Sequence, residues 1–517
     1  MFIKKYIAML KTEFKGYNGQ KFLKDLMAGI TVTAVALPLA LAFGESSNAT
    51  AASGLITAIF AGLIIGALSG ASFQISGPTG AMSAILIGII ASELGMSGVF
   101  VVSVIAGILI LLCAVFKLGK FVSMIPRPVI TGFTSGIAVI IALGQIDNFF
   151  GTHSEGENAL EKIGSYFELG FNPDWKPIVI GLIVVAVMIA WPKKLNAKVP
   201  SSLIGIIVAT LVSLLPVFDG LSLVGEIPQK LMLDDRFKLS EVDFGKIFSY
   251  ISPAISIAAL GLIESLLCGA SGSKMKKEEF DANQELIAQG VGNVVIPFFG
   301  GIPATAAIAR TSVAIKSGCQ TRLTSIIHAL GLIASMFLLG GVMAKIPLSA
   351  LAGVLMVTAF RMNEWSAIKS FFRKKHGTAI AKFFITMVAT VVFDLTIAIV
   401  IGIVFSIFVY LFNVKFKPAK YKLEKIEENN EKARINVSGS LFFANATAIE
   451  KKLYAELEKC DSIEISLENV TYIDTTGAEV LEELFENAHE MKKEVTLVNH
   501  NEKIEGLLKR CELVAEN

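Results

Sequence analysis

Residues 73–83 read FQISGPTGAMS, a polar stretch interrupted by glycine inside otherwise apolar sequence. Residues 299–310 read FGGIPATAAIAR and repeat the same plan: an extended lead-in, glycine, proline, then small and hydroxyl residues. Proline suits the first position of a helix, because its missing N–H would have no partner there in any case. We therefore predict that Pro78 and Pro303 each start a half-helix. In a membrane, two such breaks in corresponding places indicate the substrate site of a transporter.

The composition is that of a membrane protein. Of the 517 residues, 53% are hydrophobic and 17% are charged, and the mean hydropathy of +0.65 is too high for a soluble protein. The net charge of +2 argues against a nucleic-acid binder, which needs a concentrated basic face. The five cysteines are scattered without metal-ligand spacing, so we expect no metal site. The sequence shows neither a nucleophile–base pair nor a cofactor fingerprint, so we expect no enzyme and no cofactor.

Runs of about 20 apolar residues, shorter where glycine and proline interrupt them, predict about fourteen membrane spans before residue 415. Lysine and arginine collect in loops on the side of the basic N-terminal arm, which predicts that both termini are cytoplasmic. The predicted parts are an amphipathic arm (1–25), a transport domain (26–414), a linker (415–432) and a small cytoplasmic α/β domain (433–517).

A second pair of motifs recurs along the chain. Residues 125–132 read IPRPVITG and residues 346–353 read IPLSALAG, and they lie almost as far apart as Pro78 and Pro303. Two landmarks at nearly one separation predict two related halves of about seven spans, near 26–218 and 248–414. Because seven is odd, the halves enter the membrane in opposite orientations, as in the inverted repeats of secondary transporters. The alternative is that Gly-Pro breaks recur by chance in membrane helices.

Two half-helices that meet at their N-termini point unpaired N–H groups and positive dipole ends at one place, which is an anion site. Arg310 adds positive charge there, although a structural ion pair or a reach to the cytoplasm would also explain it. The two breaks also carry hydroxyls, for which a helix-packing role is the alternative: Ser76, Thr79, Ser83, Thr305, Thr311 and Ser312. The predicted substrate-binding residues are Ser76, Gly77, Pro78, Thr79, Gly80, Pro303, Ala304, Thr305, Ala309 and Arg310.

Glu264 lies well inside the eighth predicted span. A carboxylate there costs about 3 kcal/mol on insertion scales, so we expect it to face a cavity and to have a function. A neighbouring anion favours the protonated form of a carboxyl group, whereas a bound cation favours the ionised form. Glu264 is therefore predicted to carry the coupling proton. The alternative is a glutamate that hydroxyl groups cap for packing alone.

Several motifs together resemble the SulP anion permeases, bacterial relatives of the solute carriers that include pendrin and prestin. They are SGPTGAMS (76–83), IPRPVITGFTSG (125–136), NQELIAQGVGN (283–293), ARTS (309–312) and, in the tail, NVTYIDTTG (469–477), which is similar to the STAS domain (sulfate transporter and anti-sigma-factor antagonist). The resemblance implies a seven-plus-seven inverted repeat with core and gate domains, an elevator-like movement and a homodimer. It also implies a substrate pocket between spans three and ten, for sulfate, bicarbonate, chloride, oxalate or dicarboxylates.

The resemblance further implies roles for single residues. Glu264 corresponds to the family's carboxylate in span eight; sodium-coupled bicarbonate members tend to have Asp there and Thr four residues later, whereas this chain has Glu264 and Cys268. This difference favours H⁺ over Na⁺ as the coupling ion. In anti-sigma-factor antagonists a hydroxyl residue after the aspartate that corresponds to Asp474 is phosphorylated, which implies Thr475 as a phosphorylation site. The alternative is a Thr-Thr-Gly turn that caps a helix, which has the same sequence pattern. A cytoplasmic partner of the STAS domain is a further expectation.

These observations favour a proton-coupled symporter or exchanger of small oxyanions in the cell membrane. Sodium-coupled bicarbonate uptake is one alternative. A nucleobase-type permease of the same architecture is another, but it predicts aromatic and carboxylate side chains in both breaks, where this chain has Arg310 and mostly small residues. A membrane-tethered signalling scaffold that works through its STAS domain is the alternative from another class.

Overall fold

The structure is a computed structural model that describes residues 2–119, 125–156, 159–192, 195, 199–393, 395–414, 421–428 and 432–514. The chain forms two compact units. The first comprises Met1–Val122, Ile137–Asn363 and Asp394–Thr396, and the second comprises Ser123–Gly136, Glu364–Phe393 and Ile397–Asn517.

Helices dominate the described chain before residue 415. In chain order they are α1 (Phe2–Glu13), α2 (Gly19–Ser46), α3 (Ala51–Phe60), α4 (Gly66–Leu68), α5 (Gly80–Ala91), α6 (Gly95–Val115), α7 (Arg127–Gly144), α8 (Ile146–Phe150), α9 (Ala159–Leu169), α10 (Trp175–Ala190), α11 (Ser201–Ser213), α12 (Ile247–Lys276), α13 (Ala282–Val295), α14 (Ile308–Lys316), α15 (Leu323–Met343), α16 (Leu348–Met362), α17 (Trp365–Arg373), α18 (Gly377–Val392) and α19 (Leu395–Asn413). A π-helical segment, Ala61–Ile65, joins α3 to α4. Among the described residues, six helical stretches are long and apolar enough to cross a membrane, and shorter apolar helices accompany them. The count of fourteen spans stays a prediction.

Two short strands interrupt the helices of the first unit. β1 (Ser76–Gly77) pairs antiparallel with β2 (Thr305–Ala306), so that Ser76 lies opposite Ala306 and Gly77 opposite Thr305. β1 leads into α5 and β2 leads into α14. The two broken stretches of the sequence therefore meet, although more than two hundred residues separate them.

The predicted starts of the two half-helices are wrong. α5 begins at Gly80, and Thr79 is its N-cap, with Oγ1 3.5 Å from the Met82 N–H that donates to it. α14 begins only at Ile308, so Pro303 does not start it.

The physical reason is that neighbouring side chains and the opposite strand hold the backbone after Gly301 extended. Thr57 Oγ1 accepts from the Ile302 N–H at 2.7 Å, and Asn293 Oδ1 accepts from the Ala304 N–H at 2.8 Å. Those N–H groups are thus paired outside any helix. As a consequence, Arg310 lies in the first turn of α14.

The second unit contains a four-stranded sheet at the C-terminal end of the chain. Its strands are β3 (Lys422–Glu428), β4 (Lys432–Leu441), β5 (Ser462–Ile473) and β6 (Glu494–His500), in the spatial order β3-β4-β5-β6. β3 and β4 are antiparallel, and the β4–β5 and β5–β6 pairs are parallel. The accompanying helices are α20 (Phe443–Lys459), α21 (Thr475–Glu490) and α22 (Glu502–Arg510). Apolar residues from the sheet and these helices form one core, which includes Val437, Ile465, Leu453 and Leu481.

β3 lies inside the segment that the sequence predicts as a linker, 415–432. Residues 415–420 and 429–431 of that segment lie outside the described residues, as do 515–517 of the predicted α/β domain. The other domain boundaries stay predictions.

Candidate functional site

The candidate site is built around the pairing of β1 with β2. Five predicted binding residues lie in or beside the two strands and are buried: Ser76, Gly77, Pro78, Ala304 and Thr305. The first N–H groups of a helix have no partner within it, and here two helices start close to the paired strands. The pairing of the strands therefore brings together the two anion-binding elements that the sequence predicts.

Arg310 links the two broken segments directly. Its side chain is 1% exposed, and Nη2 donates to the Pro78 carbonyl at 2.8 Å. Its Nη1 is buried and has no hydrogen-bond partner among the described residues. Gly77 makes room for this guanidinium, since a methyl group added at Gly77 would lie 2.4 Å from Nη1. The site therefore contains a buried cation with an unused donor.

α12 contacts both broken segments through adjacent residues. Glu264 Oε2 accepts from Thr79 Oγ1 at 3.0 Å, so the carboxylate contacts the N-cap of α5. Ser265 Oγ lies 2.8 Å from Thr305 Oγ1 and accepts from the Ala306 N–H at 3.3 Å. The predicted coupling residue Glu264 is therefore hydrogen-bonded to the predicted binding residue Thr79.

Cys268 lies one turn further along α12. Its thiol donates to Thr311 Oγ1 at 3.2 Å, and the same oxygen accepts from the Ile75 N–H at 3.1 Å. Thr311 thus fastens the backbone before β1 to α14. Cys268 is hydrogen-bonded to Thr311 and not to Glu264.

The remaining predicted residues have varied surroundings. Pro303 and Gly80 are buried, whereas Ala309 is exposed at the start of α14. Two predicted hydroxyls bond elsewhere: Ser83 Oγ donates to the Phe43 or Thr79 carbonyl at 3.1 Å, and Ser312 Oγ donates to Met275 Sδ at 3.6 Å. For these two serines, a packing role explains the contacts.

Thr475 belongs to the second unit. It is the first residue of α21, is 4% exposed, and follows the N-cap Asp474, whose carboxylate accepts from the Gly477 N–H at 2.9 Å. Burial raises the pKa of Asp474 above its ordinary value. The cap is therefore Asp474, and Thr475, Thr476 and Gly477 form the first turn of α21 instead of a turn that caps it. Phosphorylation of Thr475 stays a prediction.

Sequence reasoning missed two residues of α13 that contact the broken segments. Gln289 Nε2 donates to Ser76 Oγ at 3.0 Å, and Asn293 bonds both backbone groups of Ala304. The available signal was a row of polar residues at four-residue spacing in a span, beginning at Glu285.

Comparisons with known proteins identify the family. The pattern described as "Sulfate permease family" matches residues 22–389, and the pattern described as "STAS domain" matches residues 424–517. The chain belongs to the sulfate permease family. This confirms the resemblance to the SulP permeases, and because the relatives in this family are named as transporters, the expectation that the protein is not an enzyme is also confirmed.

One relative is the "Putative sulfate transporter YvdB" of Bacillus subtilis (strain 168), which is 32% identical over 490 residues, covering 90% of this chain and 89% of YvdB. Among solved structures, the transmembrane domain of the cyanobacterial bicarbonate transporter BicA superposes with a TM-score of 0.66 at 28% identity, covering 74% of this chain and 98% of that one. The inward-facing murine Solute Carrier 26 family member A9, an anion transporter, has a TM-score of 0.71 at 17% identity over 96% of this chain and 89% of that one. The protein therefore has a helical membrane transporter fold with a C-terminal STAS domain.

Proposed function

We propose that this protein is a secondary active transporter of small oxyanions, of the sulfate, bicarbonate and dicarboxylate class. The observation that carries the proposal is the buried guanidinium of Arg310, which lies against β1 and has one nitrogen without a hydrogen-bond partner in the part of the chain that the structure describes. A buried cation with an unused donor is costly unless an acceptor is supplied. A bound anion would supply the acceptor, and it would also supply the compensating charge when Glu264 is protonated.

The surrounding backbone suits an oxyanion. The first N–H groups of α5 and α14 add donors and the positive ends of two helix dipoles. Sulfate, bicarbonate and carboxylates all present oxygen atoms to such donors. The names of YvdB and BicA indicate sulfate and bicarbonate for those relatives, and we extend that class of substrate to this chain.

Glu264 is the proposed coupling group. Its carboxylate contacts Thr79, which caps α5, so its charge lies next to the proposed anion site. An ionised carboxylate repels the anion, and a proton on Glu264 removes that repulsion. Cotransport of a proton with the anion follows from this arrangement.

Cys268, which lies one turn after Glu264 on α12, favours a proton over sodium as the coupling ion. Hard cations prefer oxygen ligands, and Cys268 offers a thiol that already donates to Thr311. Elevator-type movement, a homodimer, a cytoplasmic partner of the STAS domain, the cell membrane as location and cytoplasmic termini stay predictions that the family resemblance or the charge pattern implies.

The test is uptake of radiolabelled sulfate, bicarbonate and oxalate into proteoliposomes, with and without an imposed pH gradient and with and without sodium. We expect saturable uptake that an inward proton gradient accelerates and that sodium leaves unchanged. Glu264→Gln keeps the acceptor for Thr79 and removes the titrating group, so it should abolish the response to the gradient. Uptake in the Glu264→Gln variant that still follows the gradient would refute the coupling role. Absence of saturable uptake of all three anions by the wild type would refute the proposed substrate class.

A further inference from the structure

One side of α13 carries three buried polar residues. Glu285, Gln289 and Asn293 follow one another at four-residue intervals, so they share one face of the helix. All three are 0% exposed. These residues, which we call the α13 stripe, are where the helix contacts the broken segments.

Gln289 and Asn293 contact the two segments separately. Gln289 Nε2 donates to Ser76 Oγ in β1 at 3.0 Å. Asn293 Oδ1 accepts from the Ala304 N–H at 2.8 Å, and its Nδ2 donates to the Ala304 carbonyl at 2.9 Å. The amide of Asn293 therefore pairs with the backbone just before β2 in the way that a neighbouring strand would.

Glu285 fixes the approach to β1 and orients Gln289. Its Oε2 accepts from Ser69 Oγ at 2.6 Å and from the Gly70 N–H at 2.9 Å, and its Oε1 accepts from Gln289 Nε2 at 2.8 Å. Three donors satisfy this carboxylate, which a buried charge requires. The same nitrogen of Gln289 thus bridges Glu285 and Ser76.

α6 holds α13 from another side. The two helices approach closely at Gly107 and Gly290: a methyl group added at Gly107 would lie 2.7 Å from the Val294 nitrogen, and one added at Gly290 would lie 2.9 Å from the Gly107 carbonyl oxygen. Small residues permit such close packing of membrane helices. Ser103 Oγ also donates to the Asn293 carbonyl at 3.0 Å. A shift of the stripe would therefore require α6 to move as well.

We infer that the α13 stripe positions β1 and β2 for anion binding, with Gln289 setting the place of Ser76 and Asn293 setting the place of Ala304. These are positioning residues, because they act on the anion through the backbone and hydroxyl that they hold. The inference rests on the proposed anion site. It predicts that loss of a stripe contact changes the affinity for the anion rather than only the amount of folded protein.

The first test measures backbone protection by hydrogen–deuterium exchange in the full chain, in peptides that contain Ala304. Asn293→Leu removes both contacts to Ala304, and we expect about tenfold faster exchange, the effect of losing roughly one buried hydrogen bond. Asn283→Leu is the matched control on the same helix, since Asn283 Nδ2 donates to the Ala114 carbonyl in α6. Equal exchange at Ala304 in the two variants would overturn the positioning role. This readout does not depend on transport.

The second test is a double-mutant cycle on the KM for sulfate uptake in proteoliposomes. Gln289→Leu alone should raise the KM about tenfold. If Gln289 acts through Ser76, adding Ser76→Ala should raise the KM less than the product of the two single effects. A KM for the double variant that equals the product of the two single effects would overturn the inference. An unchanged KM for Gln289→Leu, with only a smaller number of active molecules, would also overturn it. If the leucine variant does not fold, the exchange test with Asn293→Leu decides.

The failure of this inference is distinguishable from the failure of the proposed site. If Arg310→Gln and the stripe variants all leave the KM unchanged, the anion does not bind at β1 and β2 and the proposed function fails. If Arg310→Gln raises the KM and Gln289→Leu does not, the site stands and only the positioning role is overturned.

Discussion

Replacing Arg310 by glutamine removes the buried positive charge beside β1 and β2. In the wild type, Nη2 donates to the Pro78 carbonyl at 2.8 Å, and Nη1 lies next to Gly77 and has no hydrogen-bond partner among the residues that the structure describes. Glutamine is shorter and neutral, so it cannot both reach Pro78 and offer a charged donor to the anion. The change therefore acts on the anion contact that the proposal needs.

The size of the effect follows from the kind of contact that is lost. A hydrogen bond to a charged group contributes about 1.5–3 kcal/mol net, and about 1.4 kcal/mol corresponds to a tenfold change in affinity. If Nη1 binds the anion directly, the KM for sulfate should rise about 10- to 150-fold. Arg310→Lys keeps the charge without the planar pair of donors, so its KM should fall between those of the wild type and the glutamine variant.

The assay is the concentration dependence of initial sulfate uptake in proteoliposomes, normalised to the amount of folded protein. Arg361→Gln is the matched control, because it removes an arginine whose Nη2 donates to the Met188 carbonyl at 2.7 Å in another part of the first unit. Its KM should equal that of the wild type. A KM for Arg310→Gln within twofold of the wild type, with Arg361→Gln also unchanged, would refute the reasoning.

Two further predictions follow. Gly77→Ala places a methyl group 2.4 Å from Arg310 Nη1, so the guanidinium must shift; if the shift removes one hydrogen bond to the anion, the KM for sulfate should rise about tenfold. Gly341→Ala adds its methyl group in open space and should leave the KM unchanged; equal uptake curves for the two variants would contradict the steric argument. In the STAS domain, burial raises the pKa of Glu479 to about 7, so the stability that this carboxyl contributes when protonated is lost as the pH rises through 7. Glutamine does not ionise, so the Glu479→Gln variant does not lose this stability as the pH rises. The thermal unfolding midpoint of the variant should exceed that of the wild type by more at pH 8 than at pH 5.5. If the difference between the two midpoints stays constant with pH, the carboxyl of Glu479 does not titrate in this way.

Much of the helical architecture can be predicted from apolar runs alone, because a span must satisfy its backbone internally and present apolar side chains to lipid. The two broken stretches are also visible, since glycine, proline and hydroxyls stand out against such runs. Their pairing as strands cannot be recognised from the sequence, because each strand has only two residues. For that reason the sequence predicts helix starts at Pro78 and Pro303, whereas the structure keeps the second stretch extended up to Ala307.

The contacts of the site depend on residues that are far apart in the chain. Arg310 and Glu264 are conspicuous because charge is rare in spans, but the sequence does not say that one reaches Pro78 and the other Thr79. Gln289 is harder to find, because an uncharged amide in a span has many explanations until its partner is known. β3 is missed for another reason: five of the seven residues in its sequence, KLEKIEE, are charged, which is typical of a linker, and only the pairing with β4 identifies the strand.

The most direct test of the central claim is to locate a bound oxyanion. Selenate resembles sulfate and scatters X-rays anomalously, so a crystal structure of the protein with selenate would show the position of the anion. The account predicts an anomalous peak beside β1 and β2, with a selenate oxygen about 3 Å from Arg310 Nη1. A peak elsewhere in the first unit, with Nη1 still unbound, would contradict it.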